Sequence, residues 1–270
     1  MTTTATRPGQ SQARATISAR TLRTDRWWGS PLGIAAILLF FIGYATVRVF
    51  MARWYYAEDY HYLTPLYSPC LSKSCIAGAA HFGRPLPELP FFIPLGIIAF
   101  PIVAGFRVTC YYYRKSGYRS LWASPAACAV AEPHRTYTGE TRFPLIFMNA
   151  HRYFFYLAAL VLLINVYDAA IAFRGIDGGF GLGLGTLIIV VNVLLLAGYT
   201  LSCHACRHVI GGRLKHFSRH PLRYRFWTLV SKLNERHGTY AMASLFTVIL
   251  TDAYIMALSA GWFHDLRIFN

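Results

Sequence analysis

The residues best suited to chemistry lie in the segment SCHACRHV, which presents Cys203, His204, Cys206 and His208. On a continuous helix, Cys203 and Cys206 are about 60° apart and share one face, whereas the two histidines lie on another face. One straight helix therefore cannot direct all four side chains at a single centre. Two adjacent thiolates can hold one iron, so the other ligands are expected from elsewhere in the chain, with His204 and His208 as alternatives.

Two further histidines stand where long apolar stretches begin. His151 lies in MNAHRYFFYL and His237 lies in NERHGTYAMA. Two thiolates and two imidazoles are the ligands of a Rieske-type [2Fe–2S] cluster, with the cysteines on one iron and the histidines on the other. The same set suits structural zinc, and the two histidines alone suit the axial positions of a haem b. The predicted metal ligands are Cys203, Cys206, His151 and His237.

A second group of polar residues falls inside apolar stretches. Asp168 lies in INVYDAAIA and Asp252 lies in ILTDAYIMA. Ionisable residues are costly within a membrane and usually serve a function there. We therefore predict a quinone site or proton route formed by Asp168, Asp252, Arg48 and Tyr254. The alternatives are that the aspartates pair with Arg48 or that they extend towards the polar edge of the membrane.

Five apolar stretches are long enough to cross a bilayer as helices, which takes about 20 residues. Hydrophobic residues make up 55% of the 270 and charged residues only 14%, against about 25% charged in typical soluble domains. The stretches do not alternate as barrel strands do. The sequence therefore predicts an all-α membrane protein, a bundle of five transmembrane helices over about 31–51, 90–109, 145–172, 180–202 and 237–263.

The positive charge predicts the orientation of this bundle. The chain has 26 Lys and Arg against 11 Asp and Glu, and most of these cations lie in the N-terminal tail and in the second and fourth connections. Because basic loops stay inside the cell, we expect a cytoplasmic N-terminus and an outer C-terminus in the plasma membrane. Residues 1–27 are expected to be a disordered basic tail, and residues 28–270 the five-helix domain.

The cysteines divide between the two sides of this predicted topology. Cys70 and Cys75 fall in an outer loop, on the oxidising side, where either a disulfide or two free thiols are possible. The other four lie near the cytoplasmic face, where structural disulfides are rare: Cys110, Cys128, Cys203 and Cys206.

Five helices with an inner N-terminus, a histidine in NAHRYFF and a histidine opening the fifth helix resemble the membrane anchor of succinate dehydrogenases and fumarate reductases. Di-haem members have a second histidine pair in the outer half, which this sequence does not offer. With two inner cysteines instead, it is similar to the branch whose cytochrome b-like anchor carries a Rieske-type [2Fe–2S] cluster.

The resemblance implies a role without succinate chemistry in this chain. A flavoprotein subunit oxidises succinate, and an iron–sulfur subunit docked on the cytoplasmic side passes the electrons through the membrane centre to a quinone. The basic loops are expected to meet that acidic partner and anionic lipid, not nucleic acid. The alternatives are a b-type haem cytochrome subunit and, in another class, a non-redox membrane transporter or lipid-binding protein.

Overall fold

The structure is a computed structural model that describes residues 23–124, 126–131, 133, 139–143 and 145–269. Within these residues the chain is mostly helical. Residues 1–22, which make up most of the predicted disordered tail, lie outside the described part. The α-helices are α1 Gly29–Met51, α2 Ala99–Thr109, α3 Tyr111–Gly117, α4 His151–Ile171, α5 Leu184–Leu201, α6 His204–Gly211, α7 Pro221–Glu235 and α8 His237–Ser259.

Four helical segments are long and apolar enough to cross a membrane, namely α1, α5, α8 and α4 with the turn Leu145–Ala150 before it. The second predicted span instead forms the 11-residue helix α2, which rises only about 16 Å against a hydrocarbon core of about 30 Å. The helical membrane fold is thus confirmed. The count of five spans and the orientation stay predictions.

Two cysteines stand where helices break. Cys110 separates α2 from α3 with φ −63° and ψ 129°, and Cys203 separates α5 from α6 with φ −66° and ψ 144°. Both residues are extended and cap the short helix that follows. The expectation that Cys203 and Cys206 share a face of one continuous helix is therefore wrong, because the fourth span ends at Leu201.

The packing brings these breaks together. Helix α5 packs against both α4 and α8, α2 packs against α4, and α1 packs against α3. One buried cluster includes Cys110, Cys203, Phe106, Tyr199 and Leu245. The starts of α4 and α8 and the ends of α2 and α5 consequently meet at one end of the bundle, which is the end predicted to face the cytoplasm.

Short strands close the opposite end. Strands β1 (Tyr56–Ala57) and β2 (Tyr62–Leu63) pair antiparallel, as do β3 (Leu182–Gly183) and β4 (Arg267–Phe269). A disulfide joins Cys70 and Cys75 in the same region. The sequence left open whether Cys70 and Cys75 form a disulfide or remain free thiols, and the structure has the disulfide.

A buried ion pair ties α1 to α8. Arg48 Nε lies 2.6 Å from Asp252 Oδ2, and both side chains are almost fully buried. Tyr44 donates a second 2.6 Å hydrogen bond to the same carboxylate. Removal of one partner leaves the other charge buried without compensation, which is costly even where the intact pair contributes little.

We expect Asp252→Asn to lower the stability of the protein by about 3–5 kcal/mol, measured as an earlier thermal unfolding transition of the purified complex. The double variant Arg48→Met, Asp252→Leu should recover most of this loss because it removes both charges. Arg53→Gln, at an exposed position, is the control. If the Asp252→Asn variant unfolds at the same temperature as the Arg53→Gln variant, the Arg48–Asp252 pair does not stabilise the fold.

Candidate metal centre

His151 is the first residue of α4, and its two ring nitrogens have different partners. Nδ1 lies 2.9 Å from Thr109 Oγ1, whose own proton is donated to the carbonyl of Gly105 at 2.6 Å. The hydroxyl must therefore accept, so Nδ1 carries the ring proton and Nε2 has a free lone pair. Nε2 lies 3.1 Å from Cys203 Sγ. Stacking on Phe106, at 4.9 Å between ring centres, fixes the ring plane.

His237, the first residue of α8, repeats this arrangement. Its Nδ1 lies 2.7 Å from Ser202 Oγ, and that hydroxyl donates to the carbonyl of Tyr199 at 3.1 Å. Nε2 is again left with a lone pair and lies 3.4 Å from Cys110 Sγ. The ring stacks on Tyr199 with 5.2 Å between centres. Each histidine thus directs an unprotonated nitrogen at a thiol.

The two thiol–imidazole pairs form one buried group. Cys110 and Cys203 belong to the same buried cluster, and Tyr199 contacts both Phe106 and His237. Burial raises the pKa of the Cys203 thiol to about 12, although the Ala205 amide, 3.3 Å from Sγ, favours the thiolate. Burial likewise raises the pKa of Cys110. Thiolates at these positions require a strong positive partner, which a bound metal supplies.

Cys206 is placed differently from the sequence prediction. It is buried and lies near Cys203, but no hydrogen bond among the described residues joins it to His151 or His237. The thiol that contacts His237 belongs to Cys110. His204 is exposed, and His208 contacts Arg152.

The donors can be compared with what each kind of metal site requires. Structural zinc needs four ligands around one ion, and in the described part of the chain no three His, Cys, Asp or Glu side chains surround one point in that way. A Rieske-type cluster needs only two protein ligands on each iron. The two thiols and two imidazoles match the donor types of such a cluster, but each thiol here contacts an imidazole, whereas the cluster has both thiolates on one iron and both imidazoles on the other.

Sequence reasoning did not select Cys110 as a ligand, although one signal was available. Cys110 directly follows an apolar stretch that ends at Thr109, and Cys203 follows the end of another by two residues. Both stretches were predicted to end on the same side of the membrane. No pattern in the sequence indicated that the hydroxyls of Thr109 and Ser202 would orient the rings of His151 and His237.

Arg107 is a fully buried cation beside this group. Its guanidinium donates to Tyr113 Oη, Ala241 O and Ser244 Oγ, at 3.1–3.2 Å, and lies 4.9 Å from the Tyr199 ring centre. In the described residues no carboxylate pairs with it, and its Nε has no hydrogen-bond partner. A buried positive charge of this kind favours negative charge on the neighbouring Cys110.

The residues of the predicted quinone or proton route fall into three separate groups. Arg48 pairs with Asp252, as described. Asp168 lies 2.7 Å from His81 Nδ1 and also accepts from Ser68. Tyr254 donates to Asp265 at 2.6 Å, near the β3–β4 pair. Among the described residues no hydrogen bond or ion pair joins these groups to one another, so a role in proton or quinone chemistry stays a prediction.

An apolar cavity of about 40 Å³ lies inside the bundle, and its lining includes Phe106, Arg107, Tyr199 and Asn165. Asn165 is one helical turn before Asp168 on α4. The volume of the cavity would admit a few waters, but most of its lining is apolar, and apolar cavities stay dry.

Comparisons with known proteins agree with this architecture. The family model described as actinobacterial succinate dehydrogenase subunit SdhC matches residues 29–261. A chain of the solved Mycobacterium smegmatis Sdh1 complex in the apo form is 58% identical, with a TM-score of 0.88 over 96% of this chain and 98% of that chain. No curated protein matches the sequence.

The fold and the match over nearly the whole bundle define a helical membrane subunit of a dehydrogenase complex. The chain belongs to the family of actinobacterial succinate dehydrogenase subunit SdhC. It is therefore a membrane subunit that works with other succinate dehydrogenase subunits, and the expectation of a membrane anchor is confirmed. The transporter alternative loses its support.

Proposed function

We propose that this chain anchors a flavoprotein subunit and an iron–sulfur subunit to the plasma membrane and passes electrons from succinate oxidation to a quinone. The centre it would hold is a Rieske-type [2Fe–2S] cluster. The observation that carries this proposal is the pair of buried thiol–imidazole contacts, Cys203 with His151 and Cys110 with His237. The chain itself does not oxidise succinate.

The ligands that we propose are Cys110, Cys203, His151 and His237, with Cys206 as the alternative sulfur. When bound, such a centre supplies reversible one-electron transfer. The protein's contribution is to hold the donors. Thr109 and Ser202 fix the proton on each Nδ1, so that both Nε2 atoms remain free to bind a metal.

A haem b between His151 and His237 is the second candidate for the redox centre. A bis-histidine haem requires both Nε2 atoms to face the iron across the macrocycle. Instead, each Nε2 faces a sulfur atom at 3.1–3.4 Å, which favours the cluster. The predicted quinone or proton route through Asp168, Asp252, Arg48 and Tyr254 is compatible with either centre.

The surface for the docked iron–sulfur subunit is proposed at the end of the bundle that carries α6 and α7. Exposed cations there are Arg213, Lys215, Arg219 and Arg225. A surface of one charge sign steers and orients a partner of the opposite sign. An acidic face on the iron–sulfur subunit would therefore be placed next to His151 and His237.

The anchor role is tested by comparing the complex with and without this chain. Succinate oxidation by a soluble dye should persist in the flavoprotein and iron–sulfur subunits alone. Membrane association and quinone reduction should require this chain. Quinone reduction at the full rate without it would overturn the proposal.

Arg107→Met should lower the midpoint potential of the centre by about 50–100 mV. This corresponds to ~1–2 kcal/mol, the interaction of charges on the order of 10 Å apart at an effective dielectric constant near 20. The buried cation favours the reduced, more negative state, so its removal makes reduction harder. Arg107→Lys, which keeps the charge, is the matched control in a redox titration of the intact complex. Equal potentials in Met and Lys variants would show that the charge has no such effect.

A further inference from the structure

A second cavity, of about 400 Å³, lies between the start of α1 and the helix α3. Three cations line it, namely Arg23, Lys115 and Arg119. Arg23 is paired with the exposed Asp25, but in the described part of the chain no carboxylate pairs with Lys115 or Arg119. The cavity therefore carries excess positive charge. Tyr112, which lines the cavity, also lies beside Cys110, but no hydrogen bond among the described residues joins the three cations to Cys110, Cys203, His151 or His237.

The walls of this cavity change from polar to apolar along α1. Arg23 and Trp27 precede the helix, Ser30 lies in its first turn, and Pro31 and Ile34 follow within the membrane-spanning segment. Tryptophan is enriched where membranes meet water. Leu38, one turn beyond Ile34 and on the same side of α1, is half-buried. The cavity thus crosses the boundary between the headgroup and acyl regions.

We propose that this cavity binds the headgroup of an anionic phospholipid, with Lys115 and Arg119 on the phosphate and an acyl chain along Ile34 and Leu38. Basic pockets beside membrane helices bind anionic headgroups by such contacts. A free phosphate would make no contact with the apolar wall of the cavity. An acidic polypeptide would not enter the membrane beside α1. The proposal depends on the membrane location of the chain and not on its redox role.

The test uses the intact succinate dehydrogenase complex, purified in detergent and stripped of lipid. Phosphatidylglycerol in the same detergent is titrated against the complex, and bound lipid phosphorus is measured after washing. Phosphatidylcholine and inorganic phosphate are titrated in parallel. We expect saturable binding of phosphatidylglycerol, weaker binding of phosphatidylcholine, and no competition from inorganic phosphate at equal concentration.

The double variant Lys115→Gln, Arg119→Gln should weaken phosphatidylglycerol binding roughly tenfold or more, because two basic contacts are lost. Lys73→Gln, Arg84→Gln removes the same charge from exposed positions that do not line this cavity and should leave the binding unchanged. Assembly of each variant is checked by succinate oxidation with a soluble dye. If the double variant fails to assemble, Arg119→Gln alone, with an expected loss of at least threefold, replaces it.

Several results would overturn the proposal. Equal affinity for phosphatidylglycerol in the Lys115, Arg119 variant and the wild type would show that these two residues do not bind the lipid. Equal losses of affinity in both double variants would show only a general attraction between the basic protein and the anionic lipid. Competition by inorganic phosphate would indicate a simple anion site. Loss of the soluble subunits from the Lys115, Arg119 variant, with lipid binding retained, would indicate a protein-docking surface instead.

Discussion

Replacing both His151 and His237 by alanine should abolish quinone reduction by the complex, with a loss of at least about 100-fold. Both imidazoles present an unprotonated nitrogen to a buried thiol, and no exposed histidine can take this position without a change in fold. Succinate oxidation measured with a soluble dye should remain near the wild-type rate, because that reaction does not use the membrane centre. The comparison of the two assays on one preparation is the measurement.

His204→Ala, His208→Ala is the matched control for this variant. Both residues lie on α6, close to the same end of the bundle, and their side chains are exposed. Quinone reduction should persist in this control. If the control loses quinone reduction and the His151, His237 variant keeps it, the ligands belong to the segment SCHACRHV and the proposed assignment is wrong.

The second large effect concerns the sulfur ligands, for which sequence and structure differ. We expect Cys110→Ser and Cys203→Ser each to remove the centre and to reduce quinone reduction at least about 100-fold. Cys206→Ser should retain both, since Cys206 is buried beside Cys203 but contacts neither histidine. Serine keeps the size of the side chain, so packing is preserved in all three variants.

The outcome that contradicts this assignment is a reversed pattern, with the centre lost in Cys206→Ser and kept in Cys110→Ser. Dye-linked succinate oxidation reports assembly in each case. A general loss of assembly in all three variants would contradict it as well, since the three thiols would then serve packing rather than ligation.

Much of the candidate site could be predicted from the sequence because it depends on where apolar stretches begin. His151 and His237 each open a helix, and the alternating direction of successive spans places such starts at one end of a bundle. The same reasoning places Cys203 there. The hydropathy pattern therefore predicts that three of the four proposed ligands lie at the same end of the bundle.

The remaining ligand could not be selected in this way. Cys110 approaches His237 because the backbone turns out of the helix after Thr109, and a hydropathy pattern does not show a single extended residue. The helix break before His204 was likewise not visible in the sequence. The prediction that Cys203 and Cys206 share one face therefore assumed a continuous helix and was wrong. The sequence also could not show that Arg107 has no carboxylate partner among the described residues, because that depends on how the chain folds around it.

The ionisable residues within the spans show a similar limit. Asp168 and Asp252 were recognised as unusual by their position in apolar sequence. Their partners, His81 and Arg48 respectively, depend on which helices and loops pack together. Pairing of Arg48 with Asp252 was one of the possibilities considered, whereas the contact of Asp168 with a loop histidine was not.

The central claim is that Cys110, Cys203, His151 and His237 together bind a [2Fe–2S] cluster. Its most direct test is the iron and acid-labile sulfide content of the intact complex, combined with the electron paramagnetic resonance spectrum of the reduced state. The account predicts that Cys110→Ser has two irons and two sulfides fewer than the wild type and lacks a signal of low average g value. Equal iron and sulfide in the two proteins, or a sharp haem α band in the wild type, would contradict it.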